Sequence, residues 1–444
     1  MKKLFVSAGL AAISAMTLHA DEYAPDFTAM DATKPWSVSG TLRGFYDDNY
    51  TTSPNGHKAG SAGFEFSPQV SLIMPLEQTE FGLRYTYGLY YYQQRENQGS
   101  DPIDQTHDVD LWVDHAFTQA TEGKIQDTFI SSQDPQLTSA GNIFPYRVQG
   151  NNIQNIGTIS LQHEFSELIS ASLSYQNTWV DYQNNTFTSA ANPSPAALLN
   201  SDSHGATVTL NYIYLPDLTF TLSYTFNWTY YTANEPIGFD YFDGGIVYNT
   251  LTGLPLQFYS QNRDLMSHSV TVGAKYSATE NLSIIAQAGI TYNDNYNLAS
   301  FDTQDSGSLQ PAATVAATYT YLPGDYVQVG LTEASIPVAT SNPNVINGSL
   351  TLYQQATILY ATVNHQITPK LTGSLTGNYQ YATYVGGNDD GSGQSFFGMG
   401  LNLAYAFNPW FSADVGYNLY YLSSTPALPG YSRNVGYASV TASF

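Results

Sequence analysis

Apolar and polar residues alternate one for one along most of the chain from Trp36 onward, in blocks of about 10 to 14 residues. That is the length a tilted strand needs to cross the hydrocarbon layer of a bilayer. The stretch from Leu218 to Tyr230 shows it best: Leu218, Phe220, Leu222, Tyr224, Phe226, Trp228 and Tyr230 share one face, and Thr219, Thr221, Ser223, Thr225, Asn227 and Thr229 share the other. One face suits lipid and the other suits water. The same pattern recurs from Phe81 to Tyr91, Ala206 to Tyr214, Leu371 to Tyr381, Phe397 to Phe407 and Phe411 to Tyr421. A helix would scatter these apolar positions around its surface without forming a stripe.

Eighteen such blocks are predicted, near residues 36–47, 62–74, 80–93, 107–118, 125–133, 156–165, 168–182, 205–215, 218–232, 266–277, 282–294, 311–322, 326–337, 354–367, 371–384, 396–407, 410–422 and 433–444. Their connections alternate between tight turns, such as Pro216-Asp217 and Asn408-Pro409, and long polar loops, eight short and nine long. The fold class is therefore all-β: a transmembrane antiparallel up-and-down β-barrel of 18 strands, with 16 as the alternative count, long extracellular loops and short periplasmic turns. The pairing of 125–133 with 156–165 is the weakest, because the phase of Ile125, Phe129 and Ile130 is ambiguous. Pro68 lacks a donor inside an otherwise regular strand, so a bulge is expected there.

The ends of the chain add a destination. Lys2 and Lys3 precede an apolar stretch from Leu4 to Leu18, followed by His19 and Ala20, which reads as a cleavable signal peptide over 1–20. About 15 apolar residues are too few for a spanning helix, which needs roughly 20. Residues 21–35 are expected to form a short periplasmic segment and 36–444 the outer-membrane barrel. At the other end Val440, Ala442 and Phe444 lie in phase, and they read as the membrane-insertion signal by which outer-membrane assembly machinery selects its clients.

Composition narrows the class further. The chain has 14% aromatic residues, among them 36 Tyr, and only 11% charged residues, against about 25% in ordinary soluble domains. Aromatic residues gather at strand ends, as at Tyr90 to Tyr92 and Trp228 to Tyr231, where a ring with a polar tip suits the membrane–water boundary. Cys is absent, which removes disulfides and thiol chemistry. With Lys2 and Lys3 removed, 11 basic residues stand against 36 acidic ones, a net charge of −25 that repels nucleic acid and other polyanions.

The strings GFYDDNY (Gly44 to Tyr50), YRVQGNNIQN (Tyr146 to Asn155), NRDLMSHSV (Asn262 to Val270) and VNHQITPKLTGSL (Val363 to Leu375) resemble the second β-barrel porin family of outer-membrane porin-like proteins. The resemblance extends over essentially the whole mature chain. It implies a porin-like barrel, sometimes encoded beside exopolysaccharide genes, and carries no catalytic residues over.

Candidate chemistry lies on the polar face. In the first four strands this face carries Arg43, Glu65, Arg84, Asp110 and Asp114, with Trp112 between the last two; hairpin pairing is expected to bring Arg84 diagonally close to Asp114. Opposed charges on a pore wall order water and screen solutes by dipole and size, whereas the plainer reading is charge pairing that satisfies a wide polar interior. Lys275, Glu333 and Asp414 are isolated candidates for the same face. The acidic tips Gly238 to Gly245 and Gly386 to Gly393 do not have EF-hand spacing and read as solvated loops. No cofactor or metal is expected, and no enzyme: His107 with Asp108 and Asp110, or His268 with Ser269, would be the candidates, but strand neighbours point to opposite faces. His115, His163 and His365 read as interfacial residues near periplasmic strand ends.

The leading expectation is an outer-membrane porin for small hydrophilic solutes, neutral or cationic, with residues 233–265 or 134–155 folded in as a constriction. The alternatives are a conduit for exopolysaccharide export and a plugged structural or adhesive barrel. Expected partners are outer-membrane lipid and lipopolysaccharide, the assembly machinery and the solutes themselves; a homotrimer is the common porin arrangement, and no stretch of sequence marks an interface.

Overall fold

The computed structural model describes residues 34–444 apart from 134–137, 140–141, 144–149, 184–192, 243–244, 303, 338–349, 388–389 and 424–429. The expected signal peptide lies outside the described residues, as do most of the segment 21–35 and part of each acidic tip.

Eighteen strands form one sheet. They are β1 Trp36–Asp47, β2 Ser61–Pro75, β3 Thr79–Tyr92, β4 Ile103–Thr118, β5 Thr121–Ser132, β6 Asn152–Glu164, β7 Ile169–Tyr182, β8 Ser201–Leu215, β9 Leu218–Tyr231, β10 Leu265–Thr279, β11 Leu282–Asp294, β12 Gly307–Leu322, β13 Asp325–Pro337, β14 Tyr353–Thr368, β15 Leu371–Val385, β16 Gly393–Asn408, β17 Phe411–Leu422 and β18 Tyr431–Ser443. Each pairs antiparallel with its neighbours in sequence, and β1 pairs with β18 from Ser39↔Ser443 to Asp47↔Val435, which closes the cylinder. Two short helices, α1 Gln93–Asn97 and α2 Pro195–Leu199, sit in long connections.

The usual inside-out logic of a globular domain is inverted. On β9, Leu222 is 48% exposed and Thr221 only 6%; on β14, Leu359 is 51% exposed and Thr362 only 4%. Apolar side chains face outward around the cylinder, and inward hydroxyls pair across strands, as in Thr207 with Thr225 at 3.0 Å, Thr209 with Ser223 at 3.0 Å and Thr41 with Thr441 at 2.9 Å. Closure satisfies the backbone groups without leaving an edge, so a sheet of this kind can span a bilayer. The chain is a transmembrane β-barrel.

Several local features have direct sequence causes. The turn between β12 and β13 is Pro323-Gly324, with Gly324 at φ +87, the conformation that the second central position of a type II turn demands. β5 and β6 pair without a shift from Thr121↔His163 to Ser132↔Asn152, and Ile125 and Phe129 face outward, which resolves their ambiguous phase. The bulge expected at Pro68 is absent. Pro68 stays in register with Gly40 of β1, and towards β3 the pairing lapses at Ser67 and Pro68 and resumes in the same register at Gln69↔Thr86. A missing donor costs one rung here without requiring an inserted residue.

Candidate functional site

The inner face of β18 and β1 to β5 holds most of the charge in the lumen. Arg43 donates to Glu65 directly across from it at 3.0 Å, and its guanidinium lies 4.7 Å over the Tyr437 ring. Arg84 stands opposite Asp110, not Asp114, and donates through Nε at 2.9 Å and Nη2 at 2.6 Å to one carboxylate oxygen. The other oxygen of Asp110 accepts from Thr128 at 2.6 Å. The expected Arg84 and Asp114 pairing is corrected by register: Asp114 lies opposite Glu80 and Lys124, and Lys124 reaches it at 3.4 Å. Trp112 donates its indole N–H to Glu80 at 3.2 Å and lies flat over Gly82, where a Cβ would fall within 1.9 Å of the ring.

The rest of the inner wall is nearly free of charge. Lys275 lies on the inner face between Thr219 and Ile285 and makes no ion pair among the described residues. Asp414 accepts from Asn402 at 3.1 Å and from the Ser439 hydroxyl. Glu333 is not in the lumen. It shares the outward face of β13 with Val329 and Leu331, and it accepts from Gln355 at 2.6 Å and from Thr357. Its neighbours in sequence did not reveal this, because Ala334 and Ser335 blur the alternation there.

Three inner-wall groups escaped the sequence reading. Arg433 donates twice to Asp47, at 2.9 and 2.6 Å, and its in-strand phase opposite to Val440 could have revealed it. Arg95 of α1 donates to Asp104 at 2.6 Å and stacks 4.5 Å over Tyr92. Lys124 lay just before the expected start of its strand. On this side of the lumen Asp47, Glu65, Glu80, Asp104, Asp108, Asp110, Asp114 and Glu122 thus outnumber Arg43, Arg84, Arg95, Lys124 and Arg433 by eight to five.

At the external ends, four long connections pack into one apolar core: Ala197 and Leu198 from α2, Ile237 and Phe258 from the 232–264 connection, Phe301, and Leu350 and Leu352. Arg263, only 3% exposed, braces it by donating to the Leu198 and Ala197 carbonyls at 2.7 and 3.3 Å. The first acidic tip follows directly on Ile237 of this core, and burial together with the nearby Asp302 pushes the Asp240 carboxyl up.

The candidate histidines lie on the outer wall. His107 shares the outward phase of Leu111, opposite in face to Asp108 and Asp110, and His268 shares that of Val270, opposite to Ser269. His115, His163 and His365 sit low on the same outer surface and contact Thr79 at 2.7 Å, Thr121 at 2.8 Å and Tyr321 at 2.9 Å.

No family model matches the chain, and no curated protein matches it. Among solved structures, the chain is similar to OccAB4 of Acinetobacter baumannii, at 11% identity and a TM-score of 0.44, covering 93% of this chain and 99% of that one. It is similar to the outer membrane protein OpdK of Pseudomonas aeruginosa at 10% identity and a TM-score of 0.43, covering 92% and 99%. It is also similar to the FrpB iron transporter of Neisseria meningitidis at 9% identity and a TM-score of 0.45, covering 93% and 82%.

Proposed function

We propose that the barrel is a porin that lets small hydrophilic solutes, neutral or cationic, diffuse through its polar lumen. The observation that carries this reading is the wall of β18 and β1 to β5, where each arginine already has a carboxylate partner and carboxylates remain in excess. A paired arginine has little field left for an anion, so the residual potential is negative and favours cations. Arg43, Glu65, Arg84, Asp110, Trp112, Asp114, Lys275 and Asp414 are the residues proposed to meet the solute.

Planar-bilayer recording across a potassium chloride gradient tests this directly. Stable open steps with a reversal potential on the cation-selective side are expected. Anion selectivity would overturn the solute class, and a silent barrel would favour the plugged alternative, which the four-loop core at the external ends supports.

A further inference from the structure

The ladder between β12 and β13 stops early. It runs from Leu322↔Asp325 to Ala313↔Glu333, yet β12 extends to Gly307 and β13 to Pro337. Over these last residues Gly307–Ala312 pair only with β11, and Ala334–Pro337 pair only with β14. At the external end of every other junction among the described residues, pairing reaches the end of at least one strand.

Pro311 supplies a local cause. The continued register would set it opposite Ser335, but proline has no N–H to donate. Its carbonyl is taken instead by the Gln355 side chain, reaching from β14 at 3.1 Å.

The tip of β13 then leaves the wall inward. Ser335 belongs by phase to the outward face of β13, yet its hydroxyl accepts from Asn293 at 2.8 Å, an inner-face residue of β11. An outward residue can meet an inward one across an intervening strand only if the tip lies inside the cylinder. Tyr353, which pairs with Pro337, repeats the arrangement: its hydroxyl contacts Ser308 and accepts from Gln310 at 2.9 Å, both inner-face residues of β12.

The infolded tip is anchored by a small buried apolar cluster. Ala334 and Ile336 pack with Ala356 and Ile358 of β14 and Ala382 of β15. Outside, the gap begins beside Leu331 and rises past Leu309, which lies opposite Tyr292; rings with polar tips mark the headgroup level. A wall with unpaired strand edges is costly in hydrocarbon unless something else covers them.

We propose that the β12–β13 seam is a lateral portal between the external half of the lumen and the outer leaflet, taking a single-chain amphiphile with a zwitterionic head. The alkyl chain lies against Leu309 and Leu331, which are exposed on the outer face on either side of the gap. The Glu333 carboxylate on the outer face at the foot of the seam disfavours an anionic head and accepts from a neutral or cationic one. The portal rests on the membrane-spanning barrel and not on the solute class proposed above.

The chain has no cysteine of its own, so paired cysteines report cleanly. Ala312→Cys with Ala334→Cys marks the first missing rung; Thr314→Cys with Thr332→Cys is the control on an intact one. The full chain is placed in phosphatidylcholine vesicles carrying fluorescent lysophosphatidylcholine in the inner leaflet. Albumin, too large for the pore, extracts whatever reaches the outside, and swelling in arabinose is followed in parallel.

Release faster than in protein-free vesicles is expected, slowed at least about tenfold by a short bis-maleimide across Ala312→Cys and Ala334→Cys and unchanged by the control bridge. Pro311→Thr, which restores the donor, should slow release in the same direction and decides the matter if the bridged variant does not assemble. Release no faster than from empty vesicles, or unaffected by both seam changes, would overturn the portal. Seam-dependent release without arabinose swelling would instead overturn the porin reading and leave the portal standing.

Discussion

Arg433 donates two hydrogen bonds to a single oxygen of Asp47, a residue 386 positions earlier in the chain. The pair sits where the last strand meets the first, and the Asp47 side chain is 2% exposed. Next to it, Asp48 accepts from the Asn434 backbone at 2.7 Å, and Asn49 donates to the Ser432 carbonyl at 3.0 Å. Closure of the cylinder is thus reinforced at its external end by side chains as well as by the ladder.

Arg433→Ala should strip Asp47 of its counter-charge inside the wall. Breaking a buried pair by removing one partner costs about 3–5 kcal/mol. The urea midpoint of the folded, heat-modifiable band should fall accordingly, and a change within error would show that the pair is dispensable.

Asp48 makes closure sensitive to acid. Burial tends to raise its pKa, but hydrogen bonds from Asn434 and Lys58 outweigh that and hold it below its ordinary 3.8. A depressed carboxyl contributes stability above its unfolded value, and that contribution is lost as pH falls through the lower folded value. Asp48→Asn should therefore flatten the acid side of the stability profile below pH 3.8. Urea midpoints measured between neutral and acid pH provide the check, and an equally steep acid loss in the variant would contradict it.

Gly82 leaves the space in which the Trp112 ring lies. Gly82→Ala should displace the ring, break its hydrogen bond to Glu80 and cost about 1–3 kcal/mol through overpacking. Tryptophan emission should shift and iodide quenching rise, read against a Trp112→Phe background.

Arg84 and Asp110 should control selectivity in opposite directions. Arg84→Gln leaves Asp110 with only Thr128 and strengthens the negative wall, so the reversal potential should move further towards cation selectivity. Asp110→Asn should move it the other way. If both variants matched the parent channel, this pair would lie outside the ion path.

The number of strands, the alternation of tight turns with long loops and the face on which Arg43, Glu65, Arg84, Asp110 and Asp414 lie were all legible in the sequence. Each depends on a period of two along one strand, and a residue's phase relative to its neighbours decides whether it faces lipid or lumen. Where alternation faded, as at Glu333, the reading placed the residue on the wrong side. Five strand starts, at Ile103, Thr121, Asn152, Ser201 and Gly307, lay four residues earlier than expected, because polar residues extend strands beyond the apolar belt without announcing it.

Partners across strands are another matter. Arg84 meets Asp110 and not Asp114 because β3 and β4, joined through the 93–102 connection, settle their register by pairing along the whole ladder from Tyr91↔Ile103 to Thr79↔His115. Arg433 meets Asp47 only because every tilt and stagger between the first strand and the last adds up to a closed cylinder. The inward tip of β13 likewise appears only in three dimensions. Pro311 is visible in the chain, but its effect depends on which strand edge faces it.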